Sequence, residues 1–423
     1  MNKQIIIQSI EDALNSKVSF FEANNGITVA LSTQDAEHPA KLVQIDRVIT
    51  ALETQDEFCE GKGFLINSID GGGQGFNSYQ ASTILISLAH QTNSPSGAVD
   101  WLEKILTTQE ATAFHITALW SLPAKKITNL YENIDLVAFD DLPDSRQKQS
   151  IQGVCNYQPI NLLSPPPNLA LPQSALVFHG TVTPFKTPIT RDTQIQPIGP
   201  VVDYSLLNDV RLALVVVGPR AYIEAIRWGH FEDNDLEYAL IGSGSSRLPP
   251  ELFPRSFFEY GPFDSTKAKA AVHGFLRLKG KSKNKVRIAL DRLNRAMCRA
   301  DAGDQATELG IALDTLFTDQ HVELSYKIAL RSALLLGGKI SVKKSHRAII
   351  QAIYDIRSSM VHNGSVSKTM KVQGRGKLPL KEIVKEGIII TSAIISRIIE
   401  LGGIPKWNTV ELSGRFKKGM PVS

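Results

Sequence analysis

Ser341-Val-Lys-Lys-Ser-His-Arg-Ala-Ile-Ile-Gln-Ala-Ile-Tyr-Asp-Ile-Arg357-Ser-Ser-Met-Val-His362, followed by Asn363-Gly364, reads as one amphipathic helix with a stop signal. Its apolar residues recur three and four apart, the spacing that places them on one face of a helix, and Asn-Gly is a pair that ends helices. The same spacing predicts helices over Ser265 to Leu278, Ser282 to Arg299, Asp304 to Thr318, His321 to Leu336 and Leu380 to Leu401. Asp301-Ala-Gly303 breaks the series, Gly337-Gly338 ends one helix, and Ser341 is positioned to cap the next. No strand signal of comparable strength intervenes. Short connections between successive helices imply antiparallel neighbours, hence an up-and-down all-α bundle over residues 264–404. Beyond it, residues 405–423, with Lys406, Arg415, Lys417 and Lys418, read as a basic and loosely ordered tail.

Upstream the pattern is mixed, so the fold class is α+β. Residues 1–163 combine strand-like Ile27-Thr-Val-Ala-Leu31 and Gly63-Phe-Leu-Ile-Asn67 with helical spacing over Tyr79 to His90 and Ala98 to Leu106. Gly71-Gly-Gly-Gln-Gly75 reads as a turn and lacks the Gly-Lys-Ser/Thr ending of a phosphate loop. Ser164-Pro-Pro-Pro-Asn168, with Pro172 behind it, opens a β-rich connecting region over 164–263 that either stands alone or joins the N-terminal domain. In that region Ala175 to His179 and Leu212 to Val217 are expected as strands, Ala221 to Trp228 as a helix, and Gly242 to Ser246 with Pro249-Pro250 as a loop.

Charge divides the chain at the same place. The net charge of +4 conceals 29 Lys+Arg against 13 Asp+Glu from Asp264 onward, about +16, and 17 against 29 before it, about −12. A basic half fits nucleic acid, but two oppositely charged parts of one chain can equally pack together.

Three widely spaced cysteines, Cys59, Cys155 and Cys298, support neither a disulfide framework nor a zinc site of paired cysteines, and a reducing cytoplasm is expected. Ile5-Ile-Ile7 is too short for the core of a secretory signal. The apolar segment Gly387 to Gly402 is interrupted by Arg397 and Glu400, well short of the roughly 20 residues a membrane helix needs, so it reads as a core helix.

Arg357 and His362 carry the candidate chemistry. A guanidinium offers a fixed fork of donors to phosphate oxygens, and an imidazole can move a proton near neutral pH. Five positions turn an ideal helix by roughly 140° beyond a full turn, so the two side chains meet only if the helix ends or loosens near His362. RNA supplies its own nucleophile, the 2′-OH, and cleavage by these groups calls for no metal or other cofactor; no His/Asp/Glu cluster with ligand spacing is found.

The runs Ile288-Ala-Leu-Asp-Arg-Leu-Asn-Arg-Ala, Glu308-Leu-Gly-Ile-Ala-Leu-Asp314-Thr-Leu-Phe317, Tyr326-Lys-Ile-Ala-Leu-Arg331 and Ile353-Tyr354-Asp355-Ile-Arg357-Ser-Ser-Met-Val-His362-Asn-Gly364 together resemble a HEPN domain of the ApeA-like branch, over roughly residues 265–402. The resemblance implies a metal-independent endoribonuclease of antiphage, abortive-infection or toxin systems, with its active site formed where two bundles pair as a homodimer. It implies Arg357 and His362 as catalytic residues, and an N-terminal region that senses or restrains, answering to a phage-derived trigger. Ser358 stands where active members often carry Asn, Asp or His.

Other roles are open at this level. Arg357 can instead bridge to Asp355 or a neighbour, with His362 a helix cap, in a noncatalytic dimerisation or partner-binding module. Asp314 either positions Arg357 or bridges to another helix, and Tyr354 reads as a packed aromatic with a bonded hydroxyl. Lys343, Lys344, His346 and Arg347 either grip an RNA backbone or form a solvated face, and Lys279-Gly-Lys-Ser-Lys-Asn-Lys285 is either an RNA-contacting loop or a plain connection. His115, His179, His230 and His273 are expected to be structural.

Overall fold

The first half of the molecule mixes strands with helices, whereas helical spacing dominates the second. The computed structural model describes residues 1–15, 20–23, 26–29, 43–156, 171–189, 198–240, 246–247, 263–318, 324–413 and 422. In chain order the first half contains α1 (Lys3–Asn15), β1 (Phe20–Ala23), β2 (Gly26–Val29), α2 (Val43–Glu53), β3 (Gly63–Asn67), β4 (Gly73–Asn77), α3 (Ser78–Thr92), α4 (Pro95–Thr107) and β5 (Ala111–Trp120). It continues with β6 (Thr128–Tyr131), β7 (Ile134–Ala138), α5 (Arg146–Asn156), β8 (Ser174–Val182), β9 (Lys186–Ile189), α6 (Tyr204–Ala213), β10 (Ile223–Phe231), α7 (Asn234–Glu237) and β11 (Ser246–Arg247).

Six of these strands form an antiparallel sheet in the order β11-β10-β5-β8-β7-β6, and β4-β3-β9 form a second. β8 and β10, from the expected connecting region, are the two neighbours of β5. Period-two geometry divides β5 cleanly. Ala111, Ala113 and Leu119 face the large core, whereas Ile116, Ala118 and Trp120 face a smaller one with Val137, Phe139 and Trp228.

Two expectations in this half are reversed. Ala221 to Trp228 is not a helix, because β10 carries a bulge between Glu224 and Ile226; the extra residue breaks strict alternation and imitates helical spacing. Leu212 to Val217 is not a strand but the end of α6 and a 3-10 turn over Leu214–Val216. Its run is continuously apolar because the turn inserts among helices of the second half, and a short buried run has no period that separates strand from helix. The glycine-rich segment is half strand, since Gly73 and Gly75 lie in β4. Gly71 and Gly72 give their N–H groups to Ser68 and Ile198 carbonyls, which removes them as phosphate donors. Asp70 on the same turn holds the buried His115 ring, Oδ1 to Nδ1 at 2.5 Å, and pins the turn to the sheet.

The basic half comprises α8 (Ser265–Arg277), α9 (Gly280–Cys298), α10 (Ala302–Phe317), α11 (Leu324–Leu336), α12 (Ile340–Asn363), the strands β12 (Thr369–Val372) and β13 (Gly376–Pro379), α13 (Leu380–Leu401) and α14 (Trp407–Ser413). Asp264 and Asp301 cap α8 and α10 with their carboxylates, the chemistry expected of N-caps. α10 is the centre, in contact with α9, α11, α12 and α13. Gly387 of α13 lets Ile353 and Leu309 approach to a distance that a Cβ would block.

Four local expectations are corrected here. The bundle is not purely α, since β12 and β13 form an antiparallel hairpin between α12 and α13. Ser341 lies inside α12, whose N-cap position is Lys339. Lys279–Lys285 is no loop, because α9 begins at Gly280. Residues 407–413 are not a loose tail: α14 seats Trp407, 2% exposed, against Phe317 with ring centroids 4.8 Å apart. The expectations at Ala30-Leu31, Ser164–Asn168, Gly242–Ser245, Pro249-Pro250, His321, Arg415, Lys417 and Lys418 lie outside the described residues. Among the described residues, no helix is long and apolar enough to cross a membrane.

The two halves share one core. Leu214–Val216 packs on α8, α9 and α13, and Asn294 of α9 takes both the N–H and the carbonyl of Tyr222. Beside this contact, Asp209 of α6 receives Arg287 at 2.7 and 2.8 Å and Lys283 at 3.0 Å.

Candidate functional site

Met360 lies against Gly303 and Arg357 against Gly310, so α12 runs antiparallel to α10. This alignment brings three of the expected residues together. Arg357 Nη1 donates to Asp314 Oδ2 at 2.5 Å, and the Tyr354 hydroxyl donates to Asp314 Oδ1 at 2.5 Å and is 3.2 Å from the Gly310 carbonyl. The guanidinium also stands 5.7 Å from the Tyr354 ring centroid. Asp314 therefore both positions Arg357 and joins two helices. Asp355 does not compete for the arginine; it accepts from Gln351.

The electrostatics fix the roles. Burial, reinforced by the Asp314 charge, pushes the Tyr354 phenol far above its ordinary value, so it remains a hydrogen-bond donor. The Arg357 side chain keeps 29% exposure, leaving other donors of its fork open to solvent. Gly310 makes this possible: a Cβ there would stand 2.5 Å from Arg357 Cδ.

His362 is exposed in the last turn of α12, as is Ser358. The helix does not loosen before His362. It continues to Asn363 and closes at Gly364, in the left-handed conformation, whose N–H bonds to the Met360 carbonyl. The 140° offset therefore persists, and within one chain Arg357 and His362 do not converge on a single phosphate.

Nor are the expected RNA-gripping residues near this pair. Lys343, Lys344 and Arg347 stand at the opposite end of α12, with about 15 Å of helix axis between Arg347 and Arg357. Arg347 instead stacks over Tyr326 at 4.8 Å. His346 is half-buried, and burial lowers its ring below the ordinary histidine value.

Elsewhere His179 meets Asp135 at 3.0 Å, His273 packs on Tyr131, and His230 is buried beside Phe114. Among the described residues no group of three or more His, Cys, Asp or Glu is gathered as metal ligands are. The sequence reading missed Gly310, whose contribution is an absent side chain. It also missed Glu308, which holds Arg292 at 2.9 Å and Arg299 at 3.4 Å.

No family model, curated protein or solved structure matches this chain.

Proposed function

We propose that the C-terminal bundle is a HEPN-type domain acting as a metal-independent endoribonuclease, and that the N-terminal half senses or restrains it in antiphage defence or abortive infection. The observation that carries this reading is an arginine fixed by Asp314 and Tyr354 yet partly open to solvent, on the same helix as an exposed histidine. A structural ion pair needs no such presentation.

The chemistry follows from these two groups. The 2′ oxygen attacks the adjacent phosphorus, the bond from phosphorus to the 5′ oxygen breaks, and His362 takes the 2′ proton while solvent water protonates the leaving 5′ oxygen. Arg357 stabilises the charge on the pentacovalent phosphorus. Because one chain cannot bring both groups to one phosphate, a symmetric homodimer completes the cleft, each protomer contributing an arginine and a histidine. No cofactor enters the scheme.

The test is incubation of the purified full chain with an RNA and a DNA of the same sequence in the presence of a chelator. RNA fragments ending in 2′,3′-cyclic phosphate and 5′-hydroxyl are expected, with DNA intact. Cutting of both polymers, or cutting of RNA as fast by the Arg357→Ala or His362→Ala protein as by the parent, overturns the reading.

A second reading is favoured by the regular helix between Arg357 and His362, which fits a noncatalytic dimerisation or partner-binding module. Gly310→Ala separates the two. The new methyl group displaces Arg357 from Asp314, while Gly to Ala in a helix interior favours folding by up to about 1 kcal/mol. A ribonuclease should lose tenfold to a hundredfold in cleavage rate, on the order expected for a misplaced catalytic group, with an unchanged or higher unfolding midpoint in urea. Undiminished cleavage would remove Arg357 from the mechanism.

A further inference from the structure

The lysine run that opens α9 takes no part in the proposed RNA site. Its side chains divide by helical spacing: Lys283 meets Asp209, whereas Lys281 and Lys285 line a cavity of about 500 Å³. Lys327 and Arg331 of α11, Lys406, and Glu411 of α14 line the same cavity. Among the described residues, five cations therefore face one carboxylate.

Two of those cations are committed. Arg331, with a side chain only 7% exposed, is held by Glu411 at 2.8 Å and by the Phe317 carbonyl, and lies 5.7 Å from the Trp407 ring centroid. Lys285 donates to the Thr318 carbonyl at 3.2 Å. These contacts, with the Trp407 indole N–H on the Leu316 carbonyl, cover the electronegative end of α10. Lys281, Lys327 and Lys406 have no carboxylate partner among the described residues. The Lys279 side chain makes no capping bond at the start of α9, so the positive end of that helix adds to the field.

We infer that this cavity binds the phosphate groups of a small polyanion, such as a nucleoside di- or triphosphate. The volume lies within the roughly 300–1,000 Å³ typical of small-molecule sites. Single-stranded nucleic acid is instead held by exposed aromatic faces along a groove, and Trp407 is buried. Recognition therefore rests on the phosphates.

Calorimetric titration of the full chain with tripolyphosphate, inorganic phosphate and a short single-stranded RNA tests this at low and high salt. Tripolyphosphate should bind once per chain in the micromolar range, more tightly than inorganic phosphate, and weaken with salt. Exchanging the exposed pair, Lys281→Gln with Lys406→Gln, should weaken it at least tenfold, while Lys343→Gln with Lys344→Gln leaves it unchanged. The urea midpoint of the parent should rise with tripolyphosphate and that of the pocket variant should not. Absence of saturable binding, equal binding by the pocket variant, or binding of RNA alone overturns the assignment. Neither readout depends on RNA cleavage.

Discussion

Arg357→Ala is expected to lower RNA cleavage by about a hundredfold to a thousandfold, the scale of losing one donor to a developing oxyanion. His362→Ala should lower it by a similar factor through loss of proton transfer. Neither change should unfold the bundle. Asp314 retains the Tyr354 hydroxyl and has 25% side-chain exposure, so solvent can satisfy the carboxylate left behind, and His362 is on the surface.

Geometry adds a sharper test. α12 stays regular to Asn363, so the arginine and histidine acting on one phosphate come from different protomers. Mixing the Arg357→Ala and His362→Ala proteins should then give heterodimers that cleave faster than either parent variant, since each such dimer retains one arginine and one histidine across the cleft. A mixture no more active than its components, measured on subunits shown to exchange, would refute the composite site.

The Asp314–Arg357 contact spans 43 residues of sequence, yet it was readable in outline, because a carboxylate on an apolar helical face requires a partner. Gly310 was not readable, since space left for another side chain has no signature in a single sequence. Much the same holds for the fold. The six long helices announce themselves by period and by the breaks at Asp301-Ala-Gly303 and Gly337-Gly338. The bulge in β10 disguises a strand, and the inserted turn at Leu214–Val216 loses its period because it is buried on every side. β12 and β13 are four residues each, of which only Val372 is buried, too short to alternate visibly. Trp407 was hidden by its basic surroundings, although a tryptophan in a charged tail is a reason to look for a packed anchor.

The charge asymmetry has a structural counterpart at the joint between the halves, and breaking it should cost more stability than any change at the surface. Asp209 is 2% exposed and receives both forks of Arg287 as well as Lys283. Arg287→Ala leaves the buried carboxylate with Lys283 alone, a loss of about 1–3 kcal/mol on the scale of charge-assisted hydrogen bonds because Arg287 is itself half-buried, visible as a lower urea midpoint. The acid limb supplies the sign. Burial alone would raise the Asp209 carboxyl, but hydrogen bonds from Arg287 and Lys283 outweigh it and hold the group below its ordinary value of 3.8. A carboxyl depressed in the folded state contributes stability that is fully present above that ordinary value and is lost as pH falls through the folded one. Asp209→Asn should therefore lower stability near neutrality and flatten its decline below about pH 4. Because the large core runs from the sheet through Leu214–Val216 into α8, α9 and α13, the parent should unfold in one transition, and Arg287→Ala should shift that transition as a whole. A midpoint unmoved by Arg287→Ala, or an acid limb identical in Asp209→Asn and the parent, would show that the apolar contacts join the halves without help from this ion cluster.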